Sequence, residues 1–100
     1  MTTLSYTPAA EQDLTEIVLW IAADDPSAAF QFVEDIRTHC AHLTRHPLMG
    51  RPRAEFGSAT RSFAHPPYTV YYRHNDATDE VEILRVWHGR RRAPRMTDLG

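Results

Sequence analysis

The same helix-start signal occurs twice in the first 26 residues, and it restricts what the chain can fold into. In both places a side chain able to cap a helix comes directly before a proline, at Thr7-Pro8 and at Asp25-Pro26. Proline is well tolerated in the first helical turn, where its missing N–H would have no partner. Apolar residues follow each signal at helical spacing, so we predict two amphipathic helices joined by a tight turn.

Three strand-like segments follow this helical hairpin, and they are the only candidates to cover its apolar stripes. We predict strands at Thr60–His65, Tyr68–His74 and Glu80–Trp87, a short first strand at Leu4–Thr7, and a loop at Met49–Gly57. The breaks between the last three strands are short, which implies antiparallel neighbours. The predicted fold class is therefore α+β, in the order β-α-α-β-β-β, with the helical hairpin packed on a small antiparallel sheet.

A chain of 100 residues has room for one compact domain. We assign residues 1–92 to this domain and expect residues 93–100 to form a flexible C-terminal tail. No segment approaches the ~20 consecutive apolar residues of a membrane span, so we expect a cytoplasmic protein without a membrane partner.

The cysteine and histidine content argues against a metal site. The single cysteine, Cys40, allows neither an intramolecular disulfide nor a zinc site built on paired cysteines. Its helical position places Cys40 on the apolar stripe, whereas His42 points away from that stripe. We therefore expect no metal and no other cofactor.

Charge is divided unevenly along the chain. Residues 1–50 carry seven acidic residues and two arginines, a net charge of −5, whereas residues 51–100 carry nine arginines and six acidic residues, a net charge of +3. All eleven basic residues are arginine. Arginine stays protonated at neutral pH, so the lack of lysine removes one route to proton transfer.

The strongest local signal is the run Arg90–Arg92 after the last predicted strand. Three consecutive arginines form either a site for an anionic partner or a solvated basic tail. Arg61 opens one predicted strand and Arg73 closes the next, so both could join this cluster. His88, beside the run, is either a general base or a strand-end histidine that hydrogen bonds to the backbone.

Three large apolar residues, Leu19, Trp20 and Phe30, lie outside the apolar stripes of the predicted helices. Residues of this kind are either scattered over the surface or form the contact site for a partner.

Several segments, taken in their order and spacing, are together typical of one protein family. They are Ala10–Ile17, the pair Ala29 and Phe32, His46–Arg53, Arg61–Phe63, Tyr68–Arg73 and Val81–Arg91. In these segments, from Tyr6 to about Arg91, the chain resembles the ParE branch of the RelE/ParE superfamily, the plasmid-stabilisation toxins of bacterial toxin–antitoxin pairs. The family's fold, a helical hairpin on an antiparallel sheet, agrees with the predicted fold.

The resemblance implies a toxin held in a hetero-oligomer by a cognate antitoxin, ParD-like or another short acidic protein. ParE-type toxins act on DNA gyrase, and the resemblance implies that Arg90–Arg92 faces that target. We expect the antitoxin to bind at Leu19, Trp20 and Phe30 together with Arg61 and Arg73.

RelE-type toxins of the same superfamily instead cut mRNA on the ribosome, usually with a lysine or a late tyrosine as proton carrier. This chain has no lysine and no tyrosine after Tyr72. If it is nevertheless a nuclease, His88, Arg91 and Arg61 are the candidate catalytic residues. Because the usual proton carriers are lacking, we expect a gyrase inhibitor that is not an enzyme. The alternatives are a ribosome-dependent endoribonuclease and a degenerate member that binds only its antitoxin.

Overall fold

The computed structural model describes residues 1–100, which form a helical layer on one face of a sheet. The helices are α1 (Pro8–Ala22) and α2 (Pro26–Ala41). The strands are β1 (Thr3–Tyr6), β2 (Arg51–Pro52), β3 (Thr60–His65), β4 (Tyr68–Asn75) and β5 (Glu80–His88). Short 3₁₀ turns lie at His42–Thr44, Ala54–Phe56 and Met96–Leu99. Neither α-helix has the length and apolar character needed to cross a membrane.

Both predicted helix starts are confirmed. The Thr7 side chain accepts a hydrogen bond from the backbone N–H of Ala10, and the Asp25 side chain accepts one from that of Ala28. Each cap satisfies one of the N–H groups that a helix start leaves without a partner. Local sequence therefore determines where the two helices of the hairpin begin.

The predicted fold class is confirmed, and the sheet differs from the prediction in two details. Its strand order is β1-β5-β4-β3-β2, and β3, β4 and β5 form the predicted antiparallel meander. β1, however, pairs with β5 in parallel, so the sheet is mixed. The long connection through the helices and the meander makes this parallel pairing possible. The second detail is β2, which lies in the predicted loop and pairs with β3 at the sheet edge, where its proline is tolerated.

The main core lies between the helices and one face of the sheet. It includes Leu14, Ile17, Val33, Ile36, Cys40 and Leu43 from the helical layer, and Val70, Tyr72, Val81, Ile83 and Val86 from the sheet. Burial raises the pKa of the Cys40 thiol to about 11. A thiol with so high a pKa is not a nucleophile at neutral pH.

The opposite face of the sheet carries a second apolar cluster, and the C-terminal segment covers it. Tyr71, Leu84, Trp87 and Leu99 form this cluster, with Phe56 packed against it. Leu99 is only 3% exposed, in a segment that we predicted as a flexible tail. The segment folds back because this sheet face bears large apolar side chains that water would otherwise contact. The folded unit therefore extends to Leu99.

Candidate functional site

The residues that follow β5 are organised around the indole ring of Trp87. The indole N–H donates a hydrogen bond to the Arg92 carbonyl oxygen at 2.8 Å. The guanidinium carbon of Arg91 lies 3.7 Å from the ring centroid, and that of Arg85 lies 4.9 Å from it. Guanidinium groups at such distances are attracted by the negative face of the indole. One buried ring therefore contacts the Arg92 backbone and the side chains of Arg85 and Arg91.

Arg92 is paired with a carboxylate from the C-terminal turn. Its Nη1 lies 2.9 Å from Oδ2 of Asp98, and the same oxygen accepts a hydrogen bond from the Arg95 backbone N–H at 2.8 Å. The Arg92 side chain and the Arg95 N–H lower the pKa of Asp98 to about 2. One of the three arginines is thus neutralised inside the molecule.

Arg90 differs from its two neighbours, because its side chain makes no hydrogen bond, ion pair or ring contact. Its backbone N–H donates to Nδ1 of His88 at 3.0 Å. The run Arg90–Arg92 is therefore not a uniform cluster. Arg91 lies on an aromatic ring, Arg92 is ion-paired, and only Arg90 is a free exposed cation.

A buried ion pair next to this site joins α1 to β5. Asp13 on α1 accepts hydrogen bonds from Nε and Nη2 of Arg85, at 2.7 and 2.8 Å, and from the Val86 backbone N–H at 2.9 Å. Asp13 is only 5% exposed. The hydrogen bonds that Arg85 donates to Asp13 are the main reason that the pKa of Arg85 is raised. This pair is not predicted from the sequence, where the only signal is that Asp13 directly precedes Leu14 of the apolar stripe.

A cavity of about 150 Å³ lies between α1 and the end of β5. Its walls include Asp13, Glu16, Tyr68, His88 and Arg91. Two of the three candidate nuclease residues, His88 and Arg91, thus meet in one place. They do so beside two carboxylate side chains.

Arg61 and Arg73 lie at the other end of the sheet, so their expected convergence with the arginine run is wrong. Arg61 is paired with Tyr72 in the β3–β4 ladder, whereas His88 is paired with Tyr68 in the β4–β5 ladder. Four residues along a strand span about 13 Å. β5 ends beside the start of β4, not beside its end, where Arg73 lies.

Both arginines have local partners at that end. Arg61 donates a hydrogen bond to the Gly50 carbonyl oxygen at 2.8 Å, and thereby holds the loop before β2. Arg73 lies 3.8 Å from a carboxylate oxygen of Glu82 on the neighbouring strand, and both side chains remain partly exposed.

The histidines of the sheet are all engaged. His88 accepts the Arg90 N–H through Nδ1, so the neutral ring carries its proton on Nε2. This is the strand-end histidine bonded to backbone that the sequence left open. His65 lies with its Nδ1 3.0 Å from that of His39 on α2, and His74 lies between Asp76 and Asp79.

Leu19, Trp20 and Phe30 are exposed, by 67%, 79% and 73% respectively. They lie near the turn of the hairpin, on helices rich in acidic residues. The exposed apolar residues and the arginine run therefore belong to different layers of the molecule.

Comparisons with known proteins agree with this architecture. Residues 4–93 match the family described as the ParE toxin of the type II toxin–antitoxin system parDE. The chain is 33% identical over 93 residues to Y4kP of Sinorhizobium fredii, which is named as a toxin, covering 93% of this chain and 94% of that protein. It is 29% identical over 84 residues to toxin RelE1 of Caulobacter vibrioides, covering 80% and 85% of the two chains.

Two solved structures share the fold. One is described as the chromosomal ParDE system from P. aeruginosa, with a TM-score of 0.72 and 24% identity, covering 88% of this chain and 96% of that one. The other is the RelBE2 toxin–antitoxin complex from Mycobacterium tuberculosis, with a TM-score of 0.68 and 26% identity, covering 87% and 96%. Since the family match spans nearly the whole chain and the fold is shared, the protein belongs to the ParE toxin family of type II toxin–antitoxin systems.

Proposed function

We propose that this toxin inhibits DNA gyrase by direct protein contact, without catalysing a reaction, and that a cognate antitoxin neutralises it. The observation that carries the proposal is the separation of the candidate catalytic groups. Along the strand direction Arg61 lies about 13 Å from His88, and it lies on β3, two strands away from β5. Arg61 is also occupied with the Gly50 carbonyl, so the three residues do not form one catalytic site.

The chemistry of the cavity beside His88 supports the same conclusion. RNA cleavage at a 2′-hydroxyl needs a base for that hydroxyl and an acid for the leaving oxygen. Neutral His88 has its Nδ1 lone pair occupied by the Arg90 N–H, and Arg91 stays protonated at neutral pH. The exposed carboxylate of Glu16 also lines the cavity and would repel a phosphate group.

The free guanidinium of Arg90 is the best candidate for a direct contact with the target. Arg91 and Arg92 are fixed beside it by Trp87 and Asp98, so the backbone that carries Arg90 leaves the sheet in a defined position. An arginine in a prearranged setting can form a two-pronged contact with a carboxylate of a protein partner.

An antitoxin partner is supported by the two solved neighbours, which are described as a ParDE system and as a RelBE2 toxin–antitoxin complex. In this chain, Leu19, Trp20 and Phe30 expose apolar surface near the hairpin turn. We expect an apolar segment of the antitoxin to cover these residues in a hetero-oligomer. Arg73, partly exposed on the sheet, is placed to attract acidic residues of the same antitoxin, whereas Arg61 acts mainly on its own loop.

Purified toxin, released from its antitoxin complex, should block supercoiling by DNA gyrase and accumulate cleaved DNA. Arg90→Ala should raise the half-inhibitory concentration about tenfold, the effect of losing one charged contact. Arg45→Ala removes an exposed arginine that is distant from Arg90 in the sequence, and it is the matched control. Unchanged gyrase activity at saturating toxin would contradict the proposal.

A ribosome-dependent endoribonuclease is the second candidate, because His88, Arg91 and Tyr68 share one cavity. It predicts cuts in translated mRNA that His88→Ala abolishes, with gyrase unaffected. If the protein is a degenerate member that only binds its antitoxin, its overexpression without the antitoxin should be harmless. Measuring growth, mRNA integrity and supercoiling in the same strains separates the three functions.

A further inference from the structure

A closed set of contacts joins the arginine run to the C-terminal turn. The Trp87 indole holds the Arg92 carbonyl, the Arg92 guanidinium holds Asp98, and the Asp98 carboxylate holds the Arg95 N–H. Residues 92–98 thus form a loop whose two ends are tied together. The contacts are those expected for a folded part of the domain and not for a solvated tail.

The same loop is anchored to the sheet and, through the sheet, to α1. The backbone carbonyl of Asp98 accepts a hydrogen bond from Nη1 of Arg85 at 3.1 Å, and Arg85 is held in turn by the buried Asp13 carboxylate. Leu99 follows directly and is buried beside Trp87. Polar contacts and apolar burial therefore hold the C-terminal turn in the same position.

Holding the C-terminal turn in one position matters for a surface that functions by docking to a target. Residues that leave a strand end without support sample many conformations, and binding a target must then restrict them. A segment already held in one conformation avoids that loss on binding. Arg90 has no side-chain partner of its own, so its position depends on the contacts of its neighbours.

We propose that Trp87 and Asp98 are positioning residues for the target-contacting Arg90, and that the C-terminal turn Met96–Leu99 is a working part of the toxin surface. This inference rests on the proposed docking function. It assigns Arg92 an indirect role, because its guanidinium is used to hold Asp98. Arg90 contacts the target, and Arg92 supports it.

Two variants release the turn without disturbing the main core. Asp98→Asn removes the negative charge that holds Arg92, and Trp87→Phe keeps an aromatic ring beneath Arg91 but removes the N–H to the Arg92 carbonyl. Each should raise the half-inhibitory concentration on gyrase about tenfold, while antitoxin affinity changes less than twofold. Glu80→Gln removes an exposed charge at the other end of β5 and is the matched control.

A charge swap tests the indirect role of Arg92 directly. Arg92→Asp alone should lose inhibition, and combining it with Asp98→Arg should restore inhibition, since the ion pair forms again with its partners exchanged. If Arg92 instead contacts the target itself, the double variant stays as inactive as Arg92→Asp. That result would overturn the inference.

The position of the C-terminal turn can be measured in an experiment that does not involve gyrase. In a Trp20→Phe background, Trp87 is the single tryptophan, and Asp98→Asn should increase its quenching by acrylamide. A released turn with inhibition intact would contradict the positioning role while leaving gyrase as the target. If the parent toxin does not inhibit gyrase at saturating concentration, the proposed function itself fails, so the two failures are distinguishable.

Discussion

Among the four glycines, Gly50 is the one whose neighbours leave the least space for a side chain. A Cβ at this position would lie 2.7 Å from a ring carbon of Tyr72 and 2.8 Å from the Ser62 carbonyl oxygen. The Gly50 N–H donates to the Tyr72 hydroxyl at 3.0 Å, and that hydroxyl donates to the Pro47 carbonyl at 2.7 Å. The loop before β2 is therefore held against the core by one buried tyrosine, at a distance that only glycine permits.

Gly50→Ala should accordingly lower the free energy of unfolding by about 1–3 kcal/mol, the usual cost of forcing extra volume into a packed site. Urea denaturation followed by circular dichroism measures the change. Gly89→Ala is the control, because a Cβ there meets only the Pro67 carbonyl oxygen, at 3.1 Å, and the loss should be smaller. Equal stability of Gly50→Ala and the parent protein would show that the loop is not held by this contact.

The ion pair between Asp13 and Arg85 joins two elements, α1 and β5. Asp13 accepts three hydrogen bonds in a site where it is almost fully buried, so removing it leaves a guanidinium and a backbone N–H without their acceptor. Asp13→Ala should destabilise the protein by about 3–5 kcal/mol, as breaking a buried pair usually does. Glu16→Ala, one turn further along α1 and exposed, should change stability by less than about 0.5 kcal/mol. Similar losses for the two variants in thermal denaturation would argue against the pair as the link between α1 and β5.

His39 and His65 form the contact between α2 and the end of β3. Burial, together with the nearby His65 and His42 rings, lowers the pKa of His39 below its usual value of 6.5. The unfolded chain therefore binds a proton more readily than the folded one, and stability rises with pH across this range. The contribution is fully present above about pH 6.5 and is lost as pH falls through the lower folded-state pKa.

Replacing His39 with phenylalanine should therefore flatten the pH dependence of unfolding between about pH 7 and 5. The same substitution at exposed His46 is the control and should keep the slope of the parent protein. Chemical denaturation at several pH values gives the slope for each variant. A slope that survives His39→Phe would assign the pH dependence to another group.

At the scale of elements, the features that could be predicted are those that local sequence determines. Thr7-Pro8 and Asp25-Pro26 carry their own capping groups, so both helix starts follow from adjacent residues. The parallel direction of β1 depends on the path of the whole chain, and no residue within it reports that direction. β2 has two residues, too few to show any periodicity.

For the whole molecule, the sequence indicates a candidate site but not how that site is organised. The run Arg90–Arg92 is visible in the sequence, whereas its division into one free, one stacked and one paired arginine depends on Trp87 and Asp98. Asp98 reaches Arg92 only because the last residues fold back over the sheet, a contact that neither residue type nor spacing indicates. Arg61 and Arg73 likewise lie away from the run, because which strand ends meet depends on the sheet order and not on the residues themselves.

The folded molecule keeps the charge division of its sequence, and this suggests how an antitoxin would associate. The acidic hairpin carries the exposed Leu19, Trp20 and Phe30, whereas the arginines, Arg73 among them, lie mainly in the second half of the chain. We therefore expect an acidic antitoxin to be attracted by the arginines of one layer and held by apolar burial on the other. Raising the salt concentration from about 0.05 to 0.5 M should slow association about tenfold and leave dissociation nearly unchanged, because salt screens the long-range attraction.

Trp20→Ser should have the opposite kinetic signature, with faster dissociation and an unchanged association rate, since it removes buried apolar surface and no charge. Arg73→Ala should reproduce part of the salt effect at low ionic strength. Surface plasmon resonance with immobilised antitoxin separates the two rates for each variant. The proposal is contradicted if Trp20→Ser alters only the association rate, or if salt alters only the dissociation rate. Either result would mean that charge does not control association and apolar contact does not control dissociation.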